Sequence, residues 1–217
     1  RMTDELELLK KDWQKKEFDV PKLSYDEIHK MIWKKSSSIV RWILIISILE
    51  FTVPHLLYLL PSMRDGMELY ENIGVSKYLV VLSGFTYIIA FYFIFQFYKR
   101  FKEISVLDNS KSLMKKIIKT RKTVKHYVIF SLSMIMMTII IMIIGVYLND
   151  NMVNAFPELK DSLANISPEK LKITIMMSIG IFGVILTLVM GGIYFLLYGL
   201  LLRKLKQNYS ELRNLTI

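Results

Sequence analysis

One carboxyl group stands alone inside a long apolar stretch of this chain, and it is the group best placed to do chemistry. Glu50 is the twelfth of the 22 residues in segment 39–60. An acidic side chain at the centre of a membrane-length apolar run costs about 3 kcal/mol to insert, so it needs a partner or a purpose. Pro54 follows four positions later. It has no N–H to give the Glu50 carbonyl, and its ring pushes that carbonyl aside. A carboxyl and a free backbone oxygen thus share one level of the helix. His55 adds an imidazole about one turn further on, although roughly 140° around the axis. Glu50, Pro54 and His55 could hold a proton, an ion or a small polar ligand. The same carboxyl could equally make an interhelical hydrogen bond that fixes packing. Counting depth along the other apolar runs makes Thr86, Tyr87, Thr138 and Thr187 the expected hydrogen-bonding layer around it.

The elements that must position this group are four apolar segments, at 39–60, 78–98, 127–148 and 173–202. Each reaches the roughly 20 residues that a helix needs to cross about 30 Å of hydrocarbon. The last three contain no Asp, Glu, Lys or Arg. Buried strands are far shorter, so the segments are helices. The fold class expected is all-α: a polytopic membrane protein built as a four-helix transmembrane bundle. The first apolar run is too long for a signal-peptide core, so it is expected to stay as an uncleaved anchor.

Charge placement orients the bundle. Of the 29 Lys and Arg residues, nine fall in 1–38, ten in 99–126 and four after residue 202. Segments 61–76 and 149–172 hold few. The positive-inside bias puts both termini and the 99–126 connection in the cytoplasm. A net charge of +10 is then explained by topology and anionic lipid, with no direct nucleic-acid contact expected.

Exclusions narrow the chemistry. There is no cysteine, so disulfides, zinc thiolate sites and cysteine nucleophiles are ruled out. The three histidines lie far apart, and no phosphate-binding loop, dinucleotide glycine pattern, HExxH or nucleophile elbow occurs. No catalytic residue, metal or cofactor is expected, and the chain is read as a non-enzyme.

The organisation follows segment by segment. Residues 1–23 read as a cytoplasmic amphipathic segment, with Leu6, Leu9 and Trp13 on one face and Phe18 leading into extended chain before Pro21. Residues 24–60 read as a cytoplasmic helix continuous with span 1. It opens on a capping box, Ser24 with Glu27. Outer loop 61–76 reads as turns around Gly66 and Gly74. Span 2 covers 77–106. Segment 107–148 is a cytoplasmic helix continuous with span 3, started by the break at Asp108, Asn109 and Ser110. The 99–126 region either projects as a helical hairpin or lies flat as a basic amphipathic surface. Outer loop 149–172 ends in a second start signal, Ser167 with Pro168 at the first helical position. Segment 173–217 is span 4 and a cytoplasmic tail. Its apolar run would measure about 45 Å as a helix, so it must tilt or carry its Tyr194–Tyr198 end past the lipid. Gly180, Gly183, Thr187 and Gly191 share one face of span 4, a surface for close helix packing within the bundle or against a second copy of the chain. The aromatics from Phe91 to Tyr98 suit an interfacial belt.

One region also resembles a known group. Leu-Leu-Lys-Lys-Asp-Trp (8–13), Ser-Tyr-Asp-Glu-Ile-His-Lys-Met-Ile (24–32), Lys-Lys-Ser-Ser-Ser-Ile-Val-Arg-Trp-Ile (34–43) and Ile-Leu-Glu-Phe (48–51) look like small four-span inner-membrane proteins encoded beside ECF-type sigma factors. That resemblance implies an integral protein of the bacterial inner (cytoplasmic) membrane, an anti-sigma-like regulator lacking a zinc motif, with a sigma factor as cytoplasmic partner. Leu6, Leu9, Trp13 and Phe18 would then dock in a groove of that partner. Two function classes therefore remain. One is a membrane-anchored regulatory protein that holds a soluble partner. The other is a small transporter, channel or ligand-sensing module centred on Glu50.

Overall fold

The computed structural model describes Glu7 and residues 24–57, 65–105, 109–150 and 166–215. These residues are almost entirely helical, with no strand among them. Helix α1 is Tyr25–Leu57, α2 Asp65–Ile73, α3 Ser76–Ser105, α4 Ser110–Leu148 and α5 Pro168–Tyr194. A π-turn, Phe195–Gly199, joins α5 to α6, Leu200–Leu215. Four helical rods (α1, α3, α4 and α5 with its continuation) are long and apolar enough to cross a membrane. The protein is an all-α membrane protein.

Local chemistry sets the boundaries. At Ser24, the backbone N–H donates to Glu27 Oε2 at 2.8 Å, and the Ser24 hydroxyl lies 3.3 Å from the Glu27 N–H. The capping box is thus formed, and the bonds from the Ser24 backbone and hydroxyl hold the Glu27 carboxyl below its usual range. Asn109 caps α4, its Oδ1 accepting from the Ser112 N–H at 2.8 Å. Pro168 opens α5 as expected, but Ser167 makes no side-chain cap bond.

The connection expected to be plain turns carries α2 instead. This helix ends at Gly74, whose φ of 85° suits glycine. Gly74 N–H reaches Glu71 O at 2.9 Å and Val75 N–H reaches Tyr70 O at 3.0 Å, the paired bonds that close a helix C-terminus. Asn149, just past α4, donates its amide to Asn72 O and Ile73 O at 3.0 and 3.2 Å. Gly145 makes room for this docking, because a Cβ there would collide with Val75.

The question of the 99–126 region is answered by packing. Helix α4 has 39 residues, about 58 Å, nearly twice the hydrocarbon thickness. Its basic first half buries Ser110, Leu113, Ile117, Thr120, Val124 and Tyr127, at alternating spacings of three and four. On α3 the buried stripe is Phe93, Phe97, Arg100 and Ile104, and on α1 it is Ile32, Ser36, Val40, Ile43 and Ser47. Leu205 and Leu212 of α6 complete one shared core. The segment therefore continues its rod as one wall of a four-helix core, packed against α1, α3 and α6.

Side chains from two neighbours finish the end of α3. Trp33 Nε1 donates to Ile104 O at 2.7 Å, and Lys116 Nζ to Glu103 O at 2.6 Å. Both acceptors belong to the last turn, where carbonyls lack partners within the helix. Trp33 is thereby held inside the bundle, whereas Trp42 is exposed.

Candidate functional site

Antiparallel register between α1 and the last rod decides what Glu50 meets. Asn208 Nδ2 donates to Ser36 Oγ at 3.0 Å, with both residues buried. Fourteen positions separate Ser36 from Glu50, and fourteen separate Tyr194 from Asn208, about 21 Å in each helix. The same seam thus delivers Tyr194 and Tyr198 to the carboxyl. The Tyr194 hydroxyl donates to Glu50 Oε1, and the Tyr198 hydroxyl donates to Oε2 at 3.0 Å. Tyr127 of α4 faces the same carboxyl, with its ring 5.8 Å from Tyr198 and 6.4 Å from Tyr194. All three tyrosines are buried, at 6%, 5% and 1% exposure for Tyr127, Tyr194 and Tyr198.

The backbone is irregular on both sides of this contact. Pro54 lies inside α1, one helical step from Glu50. Opposite, the π-turn Phe195–Gly199 begins directly after Tyr194 and contains Tyr198, and the Phe195 N–H is shared by Gly191 O and Gly192 O. Single π-turns within α-helices often occur at functional positions.

Residues 26–217 match the profile of a domain of unknown function, DUF8845. The chain belongs to the DUF8845 family. No curated protein and no solved structure matches it.

The hydroxyls expected around Glu50 are engaged elsewhere. Thr86 bonds Leu82 O at 2.8 Å, Thr138 bonds Met134 O at 3.0 Å, and Thr187 bonds Gly183 O at 2.8 Å. Each hydroxyl returns to its own helix. Tyr87 instead stands edge-on to Phe51, 5.8 Å between centroids. Depth counting misplaced span 4, because its apolar run exceeds the bilayer and the run's midpoint is not the level of Glu50. The tyrosines stand in the sequence as an i, i+4 pair, in a stretch that run length alone leaves either tilted within the lipid or carried past it.

His55 does not join Glu50. Its ring stacks on Phe51 at 4.6 Å and lies 5.0 Å from Tyr87 of α3, with Nδ1 2.5 Å from Phe51 O. The DUF8845 chain thus divides the expected Glu50, Pro54 and His55 group between two faces of α1. The small-residue stripe packs inside the bundle for three of its four members. A Cβ on Gly183 would come within 2.7 Å of Ile139, Gly180 approaches Ile143, and Thr187 Oγ1 lies 3.4 Å from Met136 Sδ. Gly191 faces nothing within 4 Å. Leu6, Leu9, Trp13 and Phe18 lie outside the described residues. Among the described residues, no cluster of His, Cys, Asp or Glu could hold a metal.

Proposed function

We propose that this DUF8845 protein is a membrane-anchored regulator of the bacterial inner membrane, with both termini cytoplasmic, whose basic bundle holds a soluble protein partner. The observation that carries this reading is the packed, Lys-rich extension of all four rods beyond membrane length. Its buried seam has the a/d spacing of a stable bundle in water. Its exposed lysines, including Lys111, Lys115, Lys119 and Lys122, offer a charged docking surface to a partner and to anionic lipid.

The resemblance at 8–51 makes an ECF-type sigma factor the first partner to test, with Leu6, Leu9, Trp13 and Phe18 as the contact. Affinity capture from membranes of the native host tests this. Leu9→Ala with Trp13→Ala is expected to abolish capture of the sigma factor while the melting temperature in detergent stays unchanged. Capture that survives the double substitution overturns the sigma contact.

The alternative, a transporter or ligand sensor centred on Glu50, draws less support. Both carboxyl oxygens accept from tyrosines, and His55 faces Tyr87. Glu50→Gln is expected to leave proteoliposome ion flux unchanged. A changed flux would restore that alternative.

A further inference from the structure

We propose that α1 and the α5–α6 rod share a hinge at the level of Glu50, latched by Tyr194 and Tyr198, about which the outer halves of these two rods part while the basic-end bundle stays rigid. Three independent features meet at that level. The buried seam of α1 runs through Val40, Ile43 and Ser47 to Glu50, and the next residues outward, Val53, Pro54 and Leu56, are exposed. The contact between the first and last rods therefore closes on this carboxyl.

Each rod is also weakened there. Pro54 deprives the Glu50 carbonyl of its helical bond. The π-turn opposite carries a shared N–H, follows Gly191 and Gly192 within one turn and ends on Gly199, residues with the widest backbone freedom. Proline and π-turns are the usual sites at which long helices bend. Two such sites facing one another across one hydrogen-bonded group form a hinge.

Beyond the latch the rods pair off differently. Helix α1 keeps to α3 through Phe51, whose ring lies 5.8 Å from Tyr87 and 4.9 Å from Phe91. Helix α5 keeps to α4 through Gly183 against Ile139. Helix α3 is held to α4 in turn, by Val75 against Gly145 and by the Asn149 bonds to Asn72 and Ile73, so the carboxyl-to-tyrosine bonds close the one seam left, that between the first rod and the last.

The chain contains no cysteine, so introduced pairs can be spin-labelled directly and their separations read by pulsed EPR in nanodiscs. Val53→Cys with Leu188→Cys spans the hinged half; Lys34→Cys with Gln207→Cys spans the basic end. Tyr194→Phe with Tyr198→Phe is expected to broaden the Val53–Leu188 distribution about twofold while Lys34–Gln207 stays unchanged. Pro54→Ala, which restores the helical bond and keeps the latch, is expected to narrow the Val53–Leu188 distribution. An unchanged Val53–Leu188 width in both variants overturns the hinge, as does equal broadening of both label pairs. The hinge stands or falls apart from the tethering reading, because no partner enters the measurement.

Discussion

The basic end and the far end of this bundle are built from the same four rods, yet they hold together in different ways. At the basic end, Ile32, Ile104, Leu113, Ile117, Val124, Leu205 and Leu212 are almost completely enclosed. At the far end the enclosed apolar residues, among the described ones, are Ile73, Val75, Val146 and Leu171, while Phe182 and Leu188 are 66% and 71% exposed. The contrast follows from the solvent. A helix in water must hide its apolar stripe, and the hydrophobic effect drives the rods together. A helix in lipid gains nothing by hiding leucine, so contact depends on close approach at small residues and on hydrogen bonds. Gly145, Gly183 and the Glu50 latch are those devices.

That contrast is broken most directly by truncating one side chain in each region. Leu205→Ala is expected to destabilise the protein by about 2–5 kcal/mol, because a fully enclosed leucine leaves a cavity. Leu188→Ala should change stability by no more than about 0.5 kcal/mol. Unfolding in mixed micelles by denaturing detergent measures both, and equal losses would show that the two regions share one kind of core.

Crowding tests the far end on its own terms. Gly183→Val forces atoms into Ile139 and is expected to cost about 1–3 kcal/mol. Gly191→Ala meets open space, and its melting temperature should match the native protein's. A Gly183→Val protein as stable as the native one would remove the α4–α5 contact from the account. The cap on α4 comes next: Asn109→Ala should cost about 1 kcal/mol at the basic end, checked by the same unfolding series.

The smallest effect is a pH dependence. Glu27 in the folded chain has its pKa lowered by its bonds to Ser24. Its contribution is therefore present above the unfolded value and disappears as pH falls through the folded one. Acidification through that window should lower the melting temperature slightly more in the native protein than in Glu27→Gln. Identical acid profiles would mean that the box contributes nothing measurable, in keeping with its full exposure to water.

The sequence was a good guide wherever a property runs along one rod. Span number follows from run length, and the start of α1 at Ser24 follows from cap chemistry within four residues. It was a poor guide between rods. The nine residues of α2 carry little periodic signal and resemble turns, and the helix draws on Val75 meeting Gly145 far along the chain. Nothing beside Gly145 in the chain shows what approaches it.

Glu50 marks the division most clearly. From the residue order alone, one acidic group in an apolar run demands a partner, and a proline four places on frees a carbonyl. Which partner answers is a matter of register. Ser36 against Asn208 sets the last rod about 21 Å from one bond to the next, and that offset brings Tyr194 and Tyr198, not Thr187, to the carboxyl. Hydrophobicity and capping act over neighbouring residues and are written in the order of the chain. The sliding of one helix along another is settled by side chains more than a hundred positions apart, and only the assembled bundle decides it.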